Sequence, residues 1–203
     1  MRIALLAGVA LAALFLLAAC GSGKVPAATP TTNAGLACGS ERWAVKTLSD
    51  PDAARVDLTP VAGSVAALRA LPTPADKPQA GRVAPTELTV FRVTADLVEA
   101  KLEDDRDFHV VIAEPGDPAQ TMIVEFADTD CSGAVGSQEA ALMRSARDAF
   151  LARYPKPKES DFRDLSGRVV ITGVGFFDFA HGQRGLAPNA IELHPVLSIE
   201  PAP

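Results

Sequence analysis

Residues 137–154 (SQEAALMRSARDAFLARY) decide the fold, because their apolar side chains recur at helical spacing in a region that otherwise favours strands. Ala146 and Phe150 fall on one side of this predicted helix. Ser137 is the candidate N-cap, and the helix is expected to stop before Pro155. The sequence therefore predicts one helix here, and the strands on either side of it determine the architecture.

Three strands are predicted before this helix and two after it. Alternation of apolar and polar residues, bounded by turn residues, places them at 86–102, 107–113, 121–126, 167–177 and 190–199. The long first strand, together with Gly173 and Gly175 in the fourth, suits a small closed sheet whose strands must bend sharply. The order β-β-β-α-β-β predicts a mainly β protein, a five-stranded OB-like barrel. A generic α+β sheet with a covering helix is the alternative.

The N-terminus has the pattern of a secretory signal. Residues 3–19 are apolar and uncharged, and they end in Leu17-Ala18-Ala19-Cys20. This ending resembles the lipobox of bacterial lipoproteins. The resemblance implies that residues 1–19 are a signal peptide and that Cys20, diacylated on sulfur, anchors the protein to a membrane. The alternative is an uncleaved signal anchor, because 17 apolar residues are close to the shortest span of a bilayer.

The residues after Cys20 bear on which membrane holds the protein. Gly21 and Ser22 follow the cysteine, and neither is the Asp that retains Gram-negative lipoproteins in the inner membrane. The lipoprotein resemblance therefore implies a cell-envelope protein, at the outer membrane and facing the periplasm if the cell is Gram-negative.

Before the predicted OB-like domain (86–203), the chain divides into a tether and an extension. Residues 20–37 are rich in small residues, Pro and Thr, which predicts a flexible tether. Residues 38–85 predict an N-terminal extension, with a short strand within 41–49 and a helix over 59–71 that has Thr59 as cap. A proline-rich loop (72–85) completes the extension.

The two remaining cysteines are expected to pair. Export places Cys38 and Cys131 in an oxidising compartment, where an even pair of cysteines favours a disulfide. Two unrelated buried thiols are the alternative, and a metal site made from these two cysteines is weaker still.

Composition argues against nucleic acid as a partner. The chain of 203 residues is 48% hydrophobic with a net charge of −6, which becomes −7 without residues 1–19. One Trp, one Tyr and no stripe of Lys or Arg supply neither a basic field nor many stacking surfaces. The sequence also lacks the nucleophile elbow, the P-loop, the dinucleotide glycine fingerprint and H-E-x-x-H.

Three runs of sequence carry a resemblance that covers roughly residues 41–200. These runs are KLEDDRDFHVVI, then GRVVITGVGFFD with HGQ, then IELHPVLSI. They are similar to a group of small bacterial proteins, often exported, that share an acidic D-x-H strand and a closing E-[IL]-H-P-V strand. The resemblance implies an OB-like domain, and it carries no established activity.

Two pairs of polar residues on predicted strands are the candidate catalytic set. Asp107 and His109 share one strand face, as do Glu192 and His194, because each pair is two residues apart. If the strands lie close together, the four could form a His/carboxylate cluster for acid-base chemistry or a divalent metal. Structural, hydrogen-bonded histidines are the first interpretation. The spacing matches no recognised metal motif, so no metal and no cofactor are predicted.

Two other segments between the predicted strands carry clusters of polar residues. The acidic run 103–107 is expected to be a solvated turn, because it lacks the glycine and the alternation of a calcium loop. The loop 176–190 links the last two strands and is the favoured contact surface. Its candidate ligand-contact residues are His181, Gln183, Arg184 and Asn189.

The sequence thus predicts a lipid-anchored binding or interaction module rather than an enzyme. Its partners are the membrane, through Cys20, and an unknown envelope protein or small ligand. The alternative is an envelope hydrolase of phosphodiesterase type that uses the His/carboxylate cluster, with or without a metal.

Overall fold

The structure is a computed structural model, and it describes residues 38–39, 41–159 and 161–203. The predicted signal peptide (1–19), Cys20 and the rest of the tether therefore lie outside the described residues. None of the helices in the described ranges is long and apolar enough to cross a bilayer. The elements are α1 (Trp43–Lys46), β1 (Asp57–Gly63), α2 (Val65–Arg69), β2 (Thr89–Leu102), β3 (Phe108–Glu114), β4 (Asp117–Phe126), α3 (Ala140–Leu151), β5 (Arg163–Asp164), β6 (Arg168–Phe177) and β7 (Ile191–Pro201), with 3-10 turns at Ala53–Arg55 and Thr86–Leu88.

The protein is mainly β, with seven strands in one ring-like sheet. The strands follow the order β1-β2-β3-β4-β7-β6, and β6 also pairs with β2, so that the path returns to an earlier strand. The β1–β2 and β4–β7 pairs are parallel, and the other pairs are antiparallel. The short β5 lies against β2.

The long strand β2 is what lets the sheet curve round. Its first half, from Val90 to Asp96, pairs with β6, and its second half, from Asp96 to Leu102, pairs with β3. The register with β3 shifts between Leu97 and Glu99, and such a shift bends a strand. The predicted long, bent strand is confirmed.

Strand β6 bends where its two glycines lie. The β6–β7 register shifts on both sides of Gly173, and a Cβ on Gly173 would lie 2.9 Å from that of Leu193. A Cβ on Gly175 would lie 2.6 Å from the backbone oxygen of Thr86. Both positions therefore require glycine because the neighbouring chain comes too close for any side chain.

The main core is formed by the inward faces of the strands and by α3. Ala146 and Phe150 of α3 are buried, as the helical spacing predicts. The Phe150 ring lies 5.8 Å from that of Phe108 and 5.1 Å from that of Phe126. The helix is shorter than predicted: it begins at Ala140, and Ser137 instead donates to the Leu48 carbonyl and accepts from the Glu139 N–H.

The prediction of a short strand within 41–49 is wrong, because this segment contains α1. A pattern of a few apolar residues suits one helical turn as well as a strand, so tertiary contacts decide. The decisive contacts come from Arg42, which donates to both carboxylate oxygens of Glu87, at 2.8 and 2.7 Å, and to the carbonyl of Phe177. These contacts fix the start of α1 against the end of β6.

The predicted helix over 59–71 is only partly correct. Its first half belongs to β1, an edge strand that pairs with β2 and therefore tolerates Pro60. The helix α2 begins only at Val65, and its cap is Ser64, whose Oγ accepts from the Ala67 N–H, rather than Thr59.

The predicted disulfide between Cys38 and Cys131 is present. Their Cα atoms are 5.4 Å apart, and the two cysteines are separated by 93 positions in the sequence. Trp43 Nε1 donates to the Ser132 carbonyl beside the bridge. The disulfide therefore ties the start of the described chain to the loop after β4.

Candidate functional site

Three neighbouring strands bring the predicted site residues together. His109 lies on β3 and pairs with Glu125 on β4. On the other side of β4, the parallel pairs Ile123 with Glu192 and Val124 with Leu193 bring Glu125 level with His194 on β7. Glu125 thus lies between the two histidines, on the same face of the sheet.

The side chains form a row in which carboxylates and imidazoles alternate. Asp107 Oδ2 lies 3.1 Å from His194 Nε2, and His194 Nδ1 lies 3.0 Å from Glu125 Oε2. Glu125 Oε1 lies 3.3 Å from His109 Nδ1. All four residues are buried: Asp107 and His194 are fully enclosed, and Glu125, the most accessible, is 6% exposed. We call these four residues the buried row.

Backbone groups hold the two ends of the buried row. Asp107 Oδ1 accepts from the Asp128 N–H at 2.7 Å. His109 Nε2 lies 2.9 Å from the carbonyl oxygen of Arg184. Because a carbonyl can only accept, Nε2 carries a proton, and Nδ1 faces the carboxylates.

The charges of the buried row follow from its contacts. Burial alone would lower the pKa of His194, but the adjacent Asp107 and Glu125 carboxylates outweigh burial and raise it to about 9. Burial raises the pKa of Asp107 to about 6, although His194 opposes this shift. Burial alone would raise the pKa of Glu125, but His109, His194 and Lys46 hold that pKa well below the usual range. The contacts between His194 and the two carboxylates therefore favour the charged forms of His194 and Glu125, whereas burial opposes the charged form of Asp107.

Glu192 is close to the buried row without joining it. Its carboxyl group is buried, and neither of its oxygens has a hydrogen-bond partner among the described residues. Burial is the main cause that raises the pKa of Glu192 well above the ordinary value, and the charges of Glu125 and Asp178 add to this effect. Glu192 therefore lies beside the row, where burial favours its neutral form, and three of the four predicted residues are linked through Glu125.

A buried lysine from α1 also faces this cluster. Burial would lower the pKa of Lys46, but Glu125, Asp178, Glu192 and Asp105 together raise it above the ordinary value. Its Nζ lies 5.6 Å from the centre of the Phe176 ring. Lys46 therefore remains a cation, surrounded by more negative charge than it neutralises.

A cavity of about 220 Å³ opens next to the row. It is lined by Lys46, Glu103, Asp104, Asp105, His109, Glu125, Asp178, His181 and Gln183. The prediction of a solvated turn over 103–107 is therefore wrong in part, since Asp105 and Asp107 are buried and Glu103 Oε1 lies 3.6 Å from His109 Nδ1. Asp104 is exposed, so the turn between β2 and β3 buries only part of its acidic run.

Only some residues of the predicted contact loop, 176–190, lie at the cavity. His181 and Gln183 line the cavity. The Arg184 side chain lies 3.2 Å from a Glu99 carboxylate oxygen, and only its backbone carbonyl meets His109. Asn189 is buried, and its amide donates to the carbonyls of Leu68 and Leu71, so it secures the end of α2 rather than the cavity.

Glu125 and Lys46 were not predicted as site residues. Glu125 stands in an apolar strand (TMIVEF), and a single carboxylate in such a run is the signal that could have found it. Lys46 gave no comparable signal, since only the folded chain brings α1 to the cavity.

The comparisons with known proteins add no identity: no protein family, curated protein or solved structure was found to match this chain. The arrangement itself offers two kinds of chemistry. A buried His/carboxylate row can transfer protons, and its oxygen and nitrogen atoms can coordinate a cation.

Proposed function

We propose that this protein is a lipid-anchored cell-envelope protein whose domain is a binding module for a small cationic ligand. The observation that carries the proposal is the acidic cavity beside the buried row. Five carboxylates line this cavity, and Lys46 is the only Lys or Arg among its lining residues. Low-dielectric walls lined by one sign of charge concentrate ions of the opposite sign.

The OB-like barrel is part of the same proposal. Strands β2, β3, β4, β7 and β6 pair in that order, and β6 pairs again with β2. The parallel β4–β7 pair and the position of α3 between β4 and β6 support a five-stranded Greek-key barrel. In this arrangement β1 and β5 are additions at β2.

The binding proposal is tested by titration of the full chain, solubilised in detergent because of its apolar N-terminal run. The probes are Mg²⁺, Ca²⁺, Zn²⁺ and 1,4-diaminobutane, followed by calorimetry. We expect at least one probe to bind, and Glu103→Gln combined with Asp178→Asn to weaken that binding by about tenfold or more, because two cavity charges are removed.

Glu200→Gln is the matched control, since Glu200 is exposed on β7 and should leave the affinity unchanged. The proposal fails if no probe binds, or if the cavity variant binds as tightly as the wild type.

The lipid anchor is tested separately, at Cys20. We expect Cys20→Ala to move the protein from the membrane fraction to the soluble fraction, because the sulfur that would carry the lipid is lost. Cell fractionation with immunodetection measures this, and Cys38→Ala controls for loss of any cysteine. Unchanged fractionation of Cys20→Ala would contradict the anchor.

A second candidate function is hydrolysis, and the position of His109 favours it. His109 is the histidine of the buried row that lines the cavity, and Glu125 orients its Nδ1. A positioned imidazole with a carboxylate partner is suited to general acid-base catalysis. For this role Nε2 of His109 has to exchange the Arg184 carbonyl for the substrate. Release of nitrophenol from bis(p-nitrophenyl) phosphate by the full chain would support this function, provided that His109→Gln abolishes the release and Glu200→Gln does not.

A further inference from the structure

We propose that Asp107, Glu125 and His194 form a site for one divalent transition-metal ion, with Zn²⁺ as the best match. This inference rests on the proposed function and deepens it, because it identifies the cation and places it in the buried row rather than at the cavity mouth.

The separations of the ligand atoms suit a single ion. One nitrogen or oxygen atom from each of the three residues can be chosen so that all lie within 4.8 Å of one another. Metal–ligand distances of about 2.1 Å place two ligands of one ion about 3.0–3.4 Å apart, depending on the coordination geometry. Asp107 Oδ2 lies 3.1 Å from His194 Nε2, whereas Glu125 Oε2 lies 3.0 Å from the other ring nitrogen, Nδ1. One of the two carboxylates must therefore shift to reach the ring nitrogen that holds the ion.

A second observation points to a ligand at the same place. Asp107 Oδ2 and both ring nitrogens of His194 are fully buried, yet none makes a hydrogen bond within the part of the chain that the structure describes. The His194 contacts have the length of ion pairs but not the alignment of hydrogen bonds. Buried polar atoms rarely lack a partner, because leaving one unpaired is costly. A coordinated ion would satisfy Asp107 Oδ2 and one of the two ring nitrogens, since an imidazole offers one nitrogen to one ion.

Neighbouring groups orient two of the three proposed metal ligands, Asp107 and Glu125. The Asp128 N–H fixes Asp107 through its other oxygen, and His109 lies against the far oxygen of Glu125. His109 is itself held by the Arg184 carbonyl. Metal ligands are usually oriented by partners of this kind.

The donor set selects the class of metal. One imidazole nitrogen and two carboxylate oxygens suit Zn²⁺, and the described cysteines are joined in a disulfide, so no thiolate is available for a softer ion. Glu125 also lines the cavity, which provides the way in. Lys46 repels an incoming cation, but the cavity carboxylates outnumber it.

The test is a calorimetric titration of the full chain with Zn²⁺ after dialysis against a chelator. We expect one ion per chain, and at least about tenfold weaker binding in Glu125→Gln and in His194→Gln. Glu200→Gln should bind as the wild type does. Circular dichroism establishes that each variant is folded, and X-ray absorption of the zinc-loaded wild type should show nitrogen and oxygen ligands, including an imidazole, and no sulfur.

The outcomes separate this inference from the proposed function. If Zn²⁺ binds but only Glu103→Gln and Asp178→Asn weaken it, the cation lies at the mouth, and the inner site is overturned while the binding module stands. If no cation binds, both fail. If His194→Gln does not fold, Asp107→Asn decides, because Asp107 does not line the cavity. Unchanged Zn²⁺ binding in that variant, or a zinc spectrum without imidazole, overturns the inner site.

Discussion

At the scale of single residues, the buried pair of Arg42 and Glu87 connects segments that are far apart in the sequence. The Glu87 carboxylate also accepts from the N–H groups of Val83 and Phe177, and both charged side chains are fully enclosed. One side chain thus joins α1, the proline-rich loop and the end of β6.

We expect Glu87→Gln to lower the free energy of unfolding by about 3–5 kcal/mol, because it leaves the Arg42 charge buried without a counter-charge. Urea unfolding followed by circular dichroism measures this. Glu41→Gln, at an exposed position, should change stability by no more than about 0.5 kcal/mol. A loss below 1 kcal/mol for Glu87→Gln would contradict the importance of the pair.

Lys46 should show opposite effects on stability and on cation binding. Lys46→Met removes the positive charge that balances the cavity carboxylates, so we expect a loss of about 3 kcal/mol in the free energy of unfolding. The same change removes the repulsion that an incoming cation meets, so Zn²⁺ should bind at least about threefold more tightly.

The matched control is Lys156→Met, which alters an exposed lysine and should move neither quantity. Unchanged stability together with weaker Zn²⁺ binding in Lys46→Met would contradict both predictions: that Lys46 balances the cavity carboxylates, and that it repels an incoming cation.

Among the elements, α3 packs against the main core through Phe150. Phe150 is fully buried and contacts the rings of Phe108, Phe126 and Tyr154. We expect Phe150→Ala to cost about 3–5 kcal/mol in the free energy of unfolding, through lost burial and the cavity that remains. Chemical denaturation measures this loss.

The neighbouring residue on the same helix is the control for Phe150. Leu151 is 37% exposed, so Leu151→Ala should cost much less. Equal losses in the two variants would mean that α3 does not pack against the sheet through Phe150.

The whole molecule depends on one covalent link across a long stretch of chain. The Cys38–Cys131 disulfide spans 93 positions, and closing a loop of that size restricts the unfolded chain by about 4–5 kcal/mol. We therefore expect the reduced protein to be less stable than the oxidised protein by a loss of this order, in urea unfolding with and without dithiothreitol.

The control for the disulfide is the double variant Cys38→Ser with Cys131→Ser, whose stability should not respond to dithiothreitol. Equal stability of the oxidised and reduced wild type would show that the bridge contributes nothing to folding.

The sequence by itself determined the mainly β class, the approximate positions of five strands and of α3, and the partners of the disulfide. These features are local or arithmetical: alternation along a strand, spacing along a helix, and an even pair of cysteines beyond the N-terminal apolar run. The two-residue β5 and the whole of β1 escaped prediction, and residues 59–63 of β1 were predicted as part of a helix. Short strands such as these have no period to detect.

Only the tertiary structure decided which polar residues meet. Asp107, His109, Glu192 and His194 were visible as pairs on single strands, but β4 supplies Glu125 between them, and α1 supplies Lys46 from far away in the sequence. The physical reason is that strand neighbours are set by pairing across the whole sheet. The burial that shifts the charges of these groups exists only once the sheet has come together.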